Sequence, residues 1–428
     1  MSGPGQAATF AANLYRQRAR VAYNGYVRRN PLALLQLSPG RADPYVFYDR
    51  IRASGPLAPT AGSELTSASH RVCDAILRDR RFGTISAEAE GATELDLSFL
   101  GMNPPDHTRL RRLAAPAFSP RAAASYAERI ERTVGSLLDQ ASAAGRFDLV
   151  SGFAAPLPIA VITDLLGIPD SDAAAFTRYG ALIGSALGGI RSLRHAAQLA
   201  ASEVTLVALF ESLFELRRRE QGEDIVSQLV AAPDDQIKPD EMIPLCLLLL
   251  VAGFETTVNL IGNSVLALLS HPAQWQALRA DPEGMAAGAV EETLRFDSPV
   301  QVTSRFALQP VELEGKLLAK GQEVVVLIGG ANRDPEAYDR PDTFDISRDS
   351  EIGNLSFSSG IHYCLGQPLA RLEATIALRA LAERMPGLTR TGPIRRRHGV
   401  VIRGPLRMPV AAGSPRIGAA AQPVMRQD

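Results

Sequence analysis

Cysteine is scarce in this chain, with three residues in 428, at positions 73, 246 and 364. An odd number of widely spaced thiols supplies neither a disulfide framework nor a CxxC zinc site, so we expect a reducing compartment. Charge of one sign is also missing, because the formal net charge is −1. This balance argues against bulk attraction to nucleic acid or to an anionic membrane. Nucleic acid is therefore not an expected partner.

Long hydrophobic runs are absent as well. The most apolar stretch is MIPLCLLLLVAGF, residues 242–254, and Glu255 follows it directly. A membrane-spanning helix needs about 20 apolar residues, so we predict a buried core helix here and no transmembrane segment. Residues 1–35 lack the continuous apolar core of a secretory signal. A cytoplasmic location is expected.

Helical periodicity dominates what the chain does contain. Apolar residues recur at helical spacing in segments 121–143, 171–186, 192–221, 240–270, 272–280, 284–295 and 365–384. Strand-like runs are short and occur at 310–315, 322–328 and 399–404. Residues 58–68 are expected to form a loop. The sequence predicts a single unit that is mainly α with a minor β region.

The two ends of the chain differ from its middle. Residues 1–40 form a basic leader without any acidic residue; its arginines are Arg16, Arg18, Arg20, Arg28 and Arg29. Such a segment is consistent with peripheral contact to a membrane surface or another protein, and also with a solvated helix that leads into the fold. Residues 41–410 are assigned to one domain, and residues 411–428 are predicted to be a disordered tail.

One of the cysteines lies in a loop of small residues, FSSGIHYCLG at 357–366. A helical pattern begins directly after Cys364, so first-turn amides can point at its sulfur, lower its pKa and tune a bound metal. Gly360 and Gly366 allow a sharp turn against a flat group, along which Phe357 could lie. A lone cysteine is more often a small buried hydrophobe, so this interpretation needs support from other segments.

The pattern Phe-x-x-Gly-x-His-x-Cys-x-Gly resembles the haem-binding loop of the cytochromes P450. One position departs, since Ser358 stands where the family usually has glycine. The resemblance implies a single-domain P450 fold, a triangular prism of helices around haem b (iron protoporphyrin IX). It makes the Cys364 thiolate the axial metal ligand and places Phe357, His362 and Gly366 in the cofactor site. Because no CxxCH motif occurs, the haem is expected to bind non-covalently.

A second motif, AGFETT at 252–257, puts an acid and a hydroxyl into the long apolar helix. Buried polar groups need partners. In the simpler interpretation Thr256 donates back to the Ala252 carbonyl, and Glu255 finds water or a cation. The stretch also looks like the oxygen-binding helix of the P450 family. That resemblance makes Glu255 and Thr256 the catalytic acid–alcohol pair that delivers protons during dioxygen activation.

A third motif, EETLRFDSPV at 291–300, contains Glu292 and Arg295 on one helix face. An isolated pair of this kind is most often a surface salt bridge worth less than about 1 kcal/mol. The segment resembles the Glu-x-x-Arg helix of the P450 family, where the pair is buried and structural. The family often adds a further arginine, but Thr343 occupies that position here, and Arg340 or Arg348 is the candidate substitute.

The two propionates of a haem need cations or donors. His107 and Arg111 lie four residues apart on one predicted helix face. Together with Arg305 and His362 they match the set that the P450 family uses for these groups. Any one of these histidines alone is more often a satisfied structural residue, so the expectation depends on all four.

The expected substrate pocket is mainly apolar, which predicts a hydrophobic organic substrate such as a lipid, sterol, terpene or polyketide. The candidate lining residues, which also suit ordinary core packing, are Leu249, Ala252, Phe254, Val300, Val302 and Thr303, with Leu97 and Leu100. No dinucleotide loop or flavin segment is visible. The resemblance therefore implies that electrons come from a separate ferredoxin or flavodoxin with its reductase.

A basic face for an acidic redox partner could include Arg109, Arg112, Arg371 and Arg379, which are equally consistent with ordinary solvated arginines.

The leading function is a haem-thiolate monooxygenase, which inserts one atom of dioxygen and reduces the other to water. The alternatives are a haem-thiolate peroxygenase, isomerase or dehydratase, and a non-enzymatic haem carrier or sensor. The acid–alcohol pair favours the monooxygenase, because P450 relatives of the other enzymatic kinds tend to lack it and a carrier needs no proton relay.

Overall fold

Most of the chain is helical, in a computed structural model that describes residues 4–60, 64–85, 97–190, 192–397 and 399–413. The α-helices, numbered in chain order, are α1 (Pro4–Ala22), α2 (Pro31–Leu35), α3 (Ser38–Ala42), α4 (Tyr45–Ala53), α5 (His70–Arg78), α6 (Asp106–Ala114), α7 (Pro120–Ser125), α8 (Ala127–Ala144), α9 (Pro156–Leu165), α10 (Asp170–Gly184), α11 (Leu193–Arg219), α12 (Ile225–Ala231), α13 (Pro239–Ser270), α14 (Pro272–Ala280), α15 (Pro282–Phe296), α16 (Ile328–Ala331) and α17 (Gln367–Arg384).

Helix ends follow local signals in the sequence. Helix α13 starts with a proline in its first turn, where the missing N–H costs little, and Glu241 accepts a hydrogen bond from the Lys238 amide at 2.8 Å. It ends at the predicted His271–Pro272 boundary. Helix α8 ends at Gly145, whose φ of 67° suits glycine. The predicted helical segments are confirmed with small shifts at their ends, except that 121–143 is divided at Tyr126 into α7 and α8.

The strands are short, and within the described ranges they form four small sheets. They are β1 (Ala58–Pro59), β2 (Leu65–Ser67), β3 (Phe82–Gly83), β4 (Arg146–Asp148), β5 (Thr303–Ala307), β6 (Val311–Leu313), β7 (Lys316–Leu318), β8 (Glu323–Val326), β9 (Thr389–Arg390), β10 (Arg395–Arg396), β11 (Pro405–Arg407) and β12 (Pro409–Ala411). The largest sheet has the order β1-β2-β8-β5-β3, and the others are β4-β12-β9, β10-β11 and β6-β7.

Two predictions about strands are wrong. Residues 58–68 were expected to form a loop, but β2 lies here and pairs in parallel with β8. Residues 399–404 were expected to form a strand, whereas Ile402 makes only an isolated bridge to Val300. In both places a distant partner decides the structure, and the local sequence pattern does not contain it.

Helix α13 lies at the centre of the core and packs against α9, α10, α15 and α17. Helix α9 approaches it closely at Gly253, where a Cβ would lie 2.6 Å from Ile162 Cδ1. Of the helices described, α13 is the single one that alone is long and apolar enough to cross a membrane, and 83% of its most apolar window is buried inside the protein. The prediction of a buried core helix is therefore confirmed.

The predicted leader and tail differ in how they relate to the folded body. Leu34 and Leu35 of α2 are buried in a cluster with Tyr48, so the last part of the predicted leader belongs to the core. Ala411, at the start of the predicted tail, pairs in β12. Residues 414–428 lie outside the described part of the chain, and the tail stays a prediction there.

Candidate active site

A cavity of about 270 Å³ lies between α13 and the loop that carries Cys364. Leu249, Ala252 and Thr256 line it from α13, and Cys364 forms part of another wall. The accessible surface of Cys364 faces this cavity, deep inside the protein. The structure thus brings the predicted cysteine loop and the AGFETT motif to the same cavity, and we call this the main cavity.

The main chain around Cys364 fixes the sulfur at the start of α17. The Cys364 amide donates to the Phe357 carbonyl at 2.8 Å, which closes the loop on itself. Burial raises the pKa of the Cys364 thiol, while hydrogen bonds from the Gly366 and Gln367 amides and the charge of Arg111 act in the opposite direction. These donors stabilise a thiolate, as expected for a cysteine at a helix N-terminus that binds a metal.

The loop contains two residues with left-handed backbone conformations. Gly360 has a φ of 66°, and a Cβ there would lie 2.4 Å from the Leu77 carbonyl oxygen. Ser358 has a φ of 63° at the position where the P450 family usually has glycine. The departure noted in the sequence is therefore a strained residue, because a side chain in this region clashes with its own carbonyl.

Substituting Ser358 by glycine should raise the free energy of unfolding by about 0.5–1 kcal/mol, the relief of the left-handed strain less the greater entropy of an unfolded glycine. The substitution also removes a weak contact, since Arg305 Nη2 lies 3.4 Å from Ser358 Oγ. The neighbouring Ser359→Gly is the matched control, because Ser359 has an ordinary φ of −151°. In chemical denaturation, the free energy of unfolding should rise for Ser358→Gly and fall for Ser359→Gly. An equal fall in both variants would show that Ser358 is not strained.

Two histidine rings contact each other beside the main cavity, tilted by 47°, and three of their nitrogens have no hydrogen-bond partner among the described residues. The ring centroids of His107 and His362 are 4.2 Å apart, and both nitrogens of His107 and Nε2 of His362 are buried without a hydrogen-bond partner. Burial, with the charge of Arg111, lowers the pKa of His107 to about 4. Burial, followed by His107 and Arg305, lowers the pKa of His362 to about 3. Both rings are therefore neutral at pH 7.

Two guanidinium groups also line the main cavity, that of Arg305 buried and that of Arg111 half-buried. Arg305 donates to Thr303 Oγ1 at 3.2 Å and to the Ser304 carbonyl at 2.8 Å, and burial lowers its pKa to about 10. Arg111 donates to the Tyr363 carbonyl, and burial lowers its pKa too. Neither pairs with a carboxylate among the described residues. Buried cations of this kind require an anionic partner, so the cavity suits a ligand with carboxylates.

Thr256 and Glu255 face different sides of α13, because successive residues are rotated by about 100°. Thr256 lines the main cavity and its Oγ1 donates to the Ala252 carbonyl at 3.0 Å. Glu255 is buried, and its Oε1 lies 2.6 Å from Arg397 Nη1. Burial raises the pKa of Glu255, and the charge of Arg397 opposes this shift. The simpler structural interpretation of the motif is confirmed for both side chains, and the proton relay stays a prediction.

The Glu-x-x-Arg pair is buried, and an arginine from another segment joins it. Arg295 contacts Glu292 at 2.8 Å through both Nε and Nη2. Arg348 Nε lies 3.1 Å from Glu292 Oε2, so Arg348 rather than Arg340 completes the network. Arg295 also donates to the Pro341 carbonyl at 2.8 Å. This cluster ties α15 to the loop that follows α16.

The predicted substrate residues divide into two groups. Those that line the main cavity are Leu249, Ala252, Val300, Thr303 and Leu100. Phe254 does not, because it lies about 200° around α13 from Ala252 and lines a different cavity. Val302 packs into the cluster of Tyr48, and Leu97 packs against the main core. Residues 86–96, directly before Leu97, lie outside the described residues.

Sequence reasoning also missed residues of the site. Phe99, Phe118, Leu248 and Ile328 line the main cavity. Leu248 had a usable signal, because it precedes Leu249 on the same helix and lies four residues before Ala252. The others come from separate segments, and no local pattern marks them.

Most of the predicted basic face is neutralised. Arg109 Nη2 lies 2.6 Å from Glu241, Arg371 Nε lies 2.5 Å from Glu291, and Arg379 bonds both Glu131 and Glu283 at 2.8 Å. Arg112 is exposed. Any attraction for an acidic partner therefore depends less on these side chains than the sequence suggested.

The fold and the main cavity define a class of protein. Around an apolar space against a long helix lie a cysteine with amide donors to its sulfur and the guanidinium groups of Arg305 and Arg111. Within the described part of the chain, neither guanidinium pairs with a carboxylate, and three nitrogens of His107 and His362 have no hydrogen-bond partner. This donor set fits a planar metal cofactor with a thiolate ligand and two carboxylates. The class is that of the haem-thiolate proteins.

The comparisons with known proteins agree with that class. Residues 187–385 match the family model described as Cytochrome P450. The "Biotin biosynthesis cytochrome P450" of Bacillus subtilis is 40% identical over 359 residues, which cover 81% of this chain and 90% of that one. "Cytochrome P450 monooxygenase PikC" of Streptomyces venezuelae is 41% identical over 364 residues, or 81% and 85% of the two chains.

The solved structures agree as well. P450BioI, in complex with an acyl carrier protein ligated to hexadec-9Z-enoic acid, has a TM-score of 0.82 and 38% identity over 87% of this chain and 100% of that one. The chain belongs to the cytochrome P450 family. It has the predicted fold and is an oxidoreductase of the monooxygenase type, and the family implies a cysteine-ligated haem.

Proposed function

We propose that the main cavity binds haem b non-covalently, with the Cys364 thiolate as the axial ligand of the iron. The observation that carries this is the position of Cys364: its accessible sulfur faces the cavity while the Gly366 and Gln367 amides point at it. The other cysteines, Cys73 and Cys246, are buried away from the cavity. When bound, the haem supplies the activation of dioxygen.

Four side chains are proposed to hold the haem propionates. Arg111, Arg305 and His362 line the main cavity, and His107 lies directly behind the His362 ring. A propionate would give Arg305 the carboxylate partner that it lacks and would accept from the neutral histidines. Phe357 and Gly366 line the same cavity and are proposed to contact the porphyrin.

Thr256 and Glu255 are proposed to manage protons during oxygen activation. Thr256 Oγ1 keeps its own proton in the bond to the Ala252 carbonyl, so its lone pairs can accept a hydrogen bond from a water in the main cavity. Glu255, whose pKa burial raises and Arg397 lowers, is proposed to take up and release a proton on the adjacent side of α13. The Thr256 side therefore positions water, and the Glu255 side supplies the proton.

The substrate is proposed to be hydrophobic. Leu248, Leu249, Val300 and Phe99 give the main cavity an apolar lining, which suits a fatty acyl, terpene, sterol or polyketide skeleton. The named relatives include a "6-deoxyerythronolide B hydroxylase" from Saccharopolyspora erythraea, 40% identical over 290 residues, besides the acyl-bound P450BioI. A panel of such compounds should be screened by the spectral shift that each causes in the haem.

Electrons are proposed to come from a ferredoxin or flavodoxin with its reductase, which would dock on the side of the protein where Cys364 lies.

We also propose a cytoplasmic location. Contact of the basic N-terminal helix with a membrane stays a prediction. Leu35 is buried, so we propose that the folded domain begins near residue 31 rather than residue 41.

The proposed function is tested by reconstitution. The purified protein should show the reduced, carbon-monoxide-bound absorption of a thiolate-ligated haem, and should oxidise a substrate identified by the spectral screen when a surrogate ferredoxin system supplies electrons. Turnover with hydrogen peroxide alone, and none with the ferredoxin system, would indicate a peroxygenase. A protein that folds but takes up no haem would exclude the proposal.

Replacing Thr256 by alanine is expected to leave haem binding intact and to divert electrons from product into hydrogen peroxide. The alanine cannot position water in the main cavity, so product per electron pair should fall by about tenfold or more. Thr256→Ser keeps the hydroxyl and should restore most of the yield. Product and peroxide are measured together against NAD(P)H consumed, and an unchanged yield in Thr256→Ala would show that the hydroxyl has no such role.

A further inference from the structure

A second cavity of about 240 Å³ lies against the face of α13 that carries Glu255. We call it the rear cavity. Its wall includes Ile159 of α9, Gly184 and Ser185 at the end of α10, and Arg397. Phe254 and Val258 of α13 complete this face, whereas the main cavity meets Ala252 and Thr256. The two cavities are thus separated by one helix.

Glu255 is fixed in the rear cavity by a single cation. Arg397 Nη1 lies 2.6 Å from Glu255 Oε1, and Arg397 Nε donates to Asn259 Oδ1 at 2.8 Å. Asn259 Nδ2 in turn donates to the Glu255 carbonyl at 2.7 Å, one helical turn earlier. The Arg397 amide donates to the Gly404 carbonyl at 3.1 Å. The guanidinium is therefore held to α13 through both Nη1 and Nε, and the Arg397 main chain is fixed within the segment that joins β10 to β11.

Among the described residues that line the rear cavity, Glu255 and Arg397 are the charged ones. Behind this wall, the His195 ring of α11 shares a hydrogen bond with Ser185 at 2.7 Å. Gly184 of α10 packs against the acid, since a Cβ there would be 3.7 Å from Glu255 Cγ. The groups from α9 and α10 at this wall, Ile159 and Ser185, are uncharged. The carboxylate is 4% exposed and the Arg397 side chain 18% exposed, so the arginine lies on the solvent side of the pair. A proton that arrives from solvent meets Arg397 before it meets Glu255.

We propose that Arg397 is a positioning residue for proton delivery, holding Glu255 in the rear cavity, and that Glu255 takes its protons from water in that cavity. This inference rests on the proposed function of the Glu255–Thr256 pair. Each time the carboxyl of Glu255 releases a proton towards the Thr256 side of α13, a water of the rear cavity donates a proton to the carboxylate. Bulk solvent then returns a proton to that water. Protons and substrate then enter from different sides of the helix.

The charge of Arg397 has a direct consequence for the pH range of this delivery. Burial raises the pKa of Glu255, and Arg397 opposes the shift. Without the guanidinium, the pKa rises further and the carboxyl stays protonated to higher pH. Its orientation is also lost, because the link through Asn259 disappears. This shift follows from the charge of Arg397 alone, so the loss of product per electron pair, and not the titration, distinguishes a positioning arginine from a purely structural one.

The test compares Arg397→Gln with Arg397→Lys and with Arg395→Gln, an exposed neighbour on β10, all as haem-loaded proteins with a surrogate ferredoxin system. Infrared spectra follow the protonated carboxyl band of Glu255, assigned by its loss in Glu255→Gln. In Arg397→Gln this band should persist to higher pH than in the wild type, and product per electron pair should fall by about tenfold. Arg397→Lys should bring both the pH range of the band and the product yield most of the way back to those of the wild type. Arg395→Gln should match the wild type.

A second variant tests the rear cavity itself. Ile159→Phe narrows the cavity and leaves every charge in place, so coupling should fall severalfold while the carbon-monoxide spectrum is unchanged. If Glu255→Gln uncouples the enzyme but neither Arg397→Gln nor Ile159→Phe does, the inference is wrong and the proposed function stands. If Glu255→Gln itself leaves coupling unchanged, the proposed relay fails, and this inference with it.

Discussion

Replacing Cys364 with serine is expected to abolish the thiolate absorption of the reduced, carbon-monoxide-bound protein together with all ferredoxin-driven turnover. Serine has nearly the same volume and accepts the same hydrogen bonds from the Gly366 and Gln367 amides. Its hydroxyl does not ionise in the range where a thiol does, so it cannot replace a thiolate as the ligand. The loop around it, closed by the bond from the residue 364 amide to the Phe357 carbonyl, should stay folded.

Cys246→Ser is the matched control for this experiment. Cys246 is buried in α13 and does not line the main cavity, and burial raises its pKa. The same chemical change there should cost packing energy but leave the thiolate spectrum unaltered. Circular dichroism establishes that each variant is folded. If Cys364→Ser retained the thiolate spectrum, Cys364 would not be the ligand.

Local signals made the helices from α13 to α15 predictable, whereas shorter helices such as α4, α5, α9 and α12 were not predicted. Helix α14 has the predicted bounds 272–280 because a proline starts it, and α13 ends where the His271–Pro272 pair stops it. The β regions failed for the opposite reason. Strand β2 consists of Leu65–Ser67 and is held by β8, far along the chain, so the pattern of residues 58–68 carries no trace of the pairing.

The site follows the same division between local and distant information. The cysteine loop and the four propionate candidates are motif residues, and the structure places Cys364, Arg111, Arg305 and His362 around one cavity. Phe254 was assigned to that cavity in error, although helix geometry alone puts it about 200° from Ala252. That mistake was avoidable from the sequence.

The partners of the buried acids were only partly available from the sequence. Arg397 meets Glu255, and Arg348 meets Glu292, through contacts between segments that lie far apart in the chain. The family resemblance narrowed the partner of Glu292 to Arg340 or Arg348, whereas nothing near Arg397 marks it for its role. A buried carboxylate predicts that some cation exists, but tertiary packing selects which one.

Removing the charge of Glu292 should destabilise the protein severely, because the carboxylate neutralises two guanidinium groups. Its side chain is 2% exposed and that of Arg295 is 3% exposed. Glu292→Gln preserves the size of the side chain but leaves Arg295 and Arg348 buried without a counter-charge. Breaking a buried pair in this way costs about 3–5 kcal/mol, so the free energy of unfolding should fall by that amount and haem-loaded protein should be recovered in low yield.

The adjacent residue provides a control with an identical chemical change. Glu291 also pairs with an arginine, Arg371, but its side chain is 46% exposed, and water screens such pairs. Glu291→Gln should therefore cost less than about 1 kcal/mol. Both variants lose one carboxylate from α15 and one ion pair, and they differ in how deeply that pair is buried. A difference between their free energies of unfolding in urea therefore measures the effect of burial. Equal losses of stability would mean that the Glu292 cluster does not hold α15 to the loop around Pro341 as its contacts indicate.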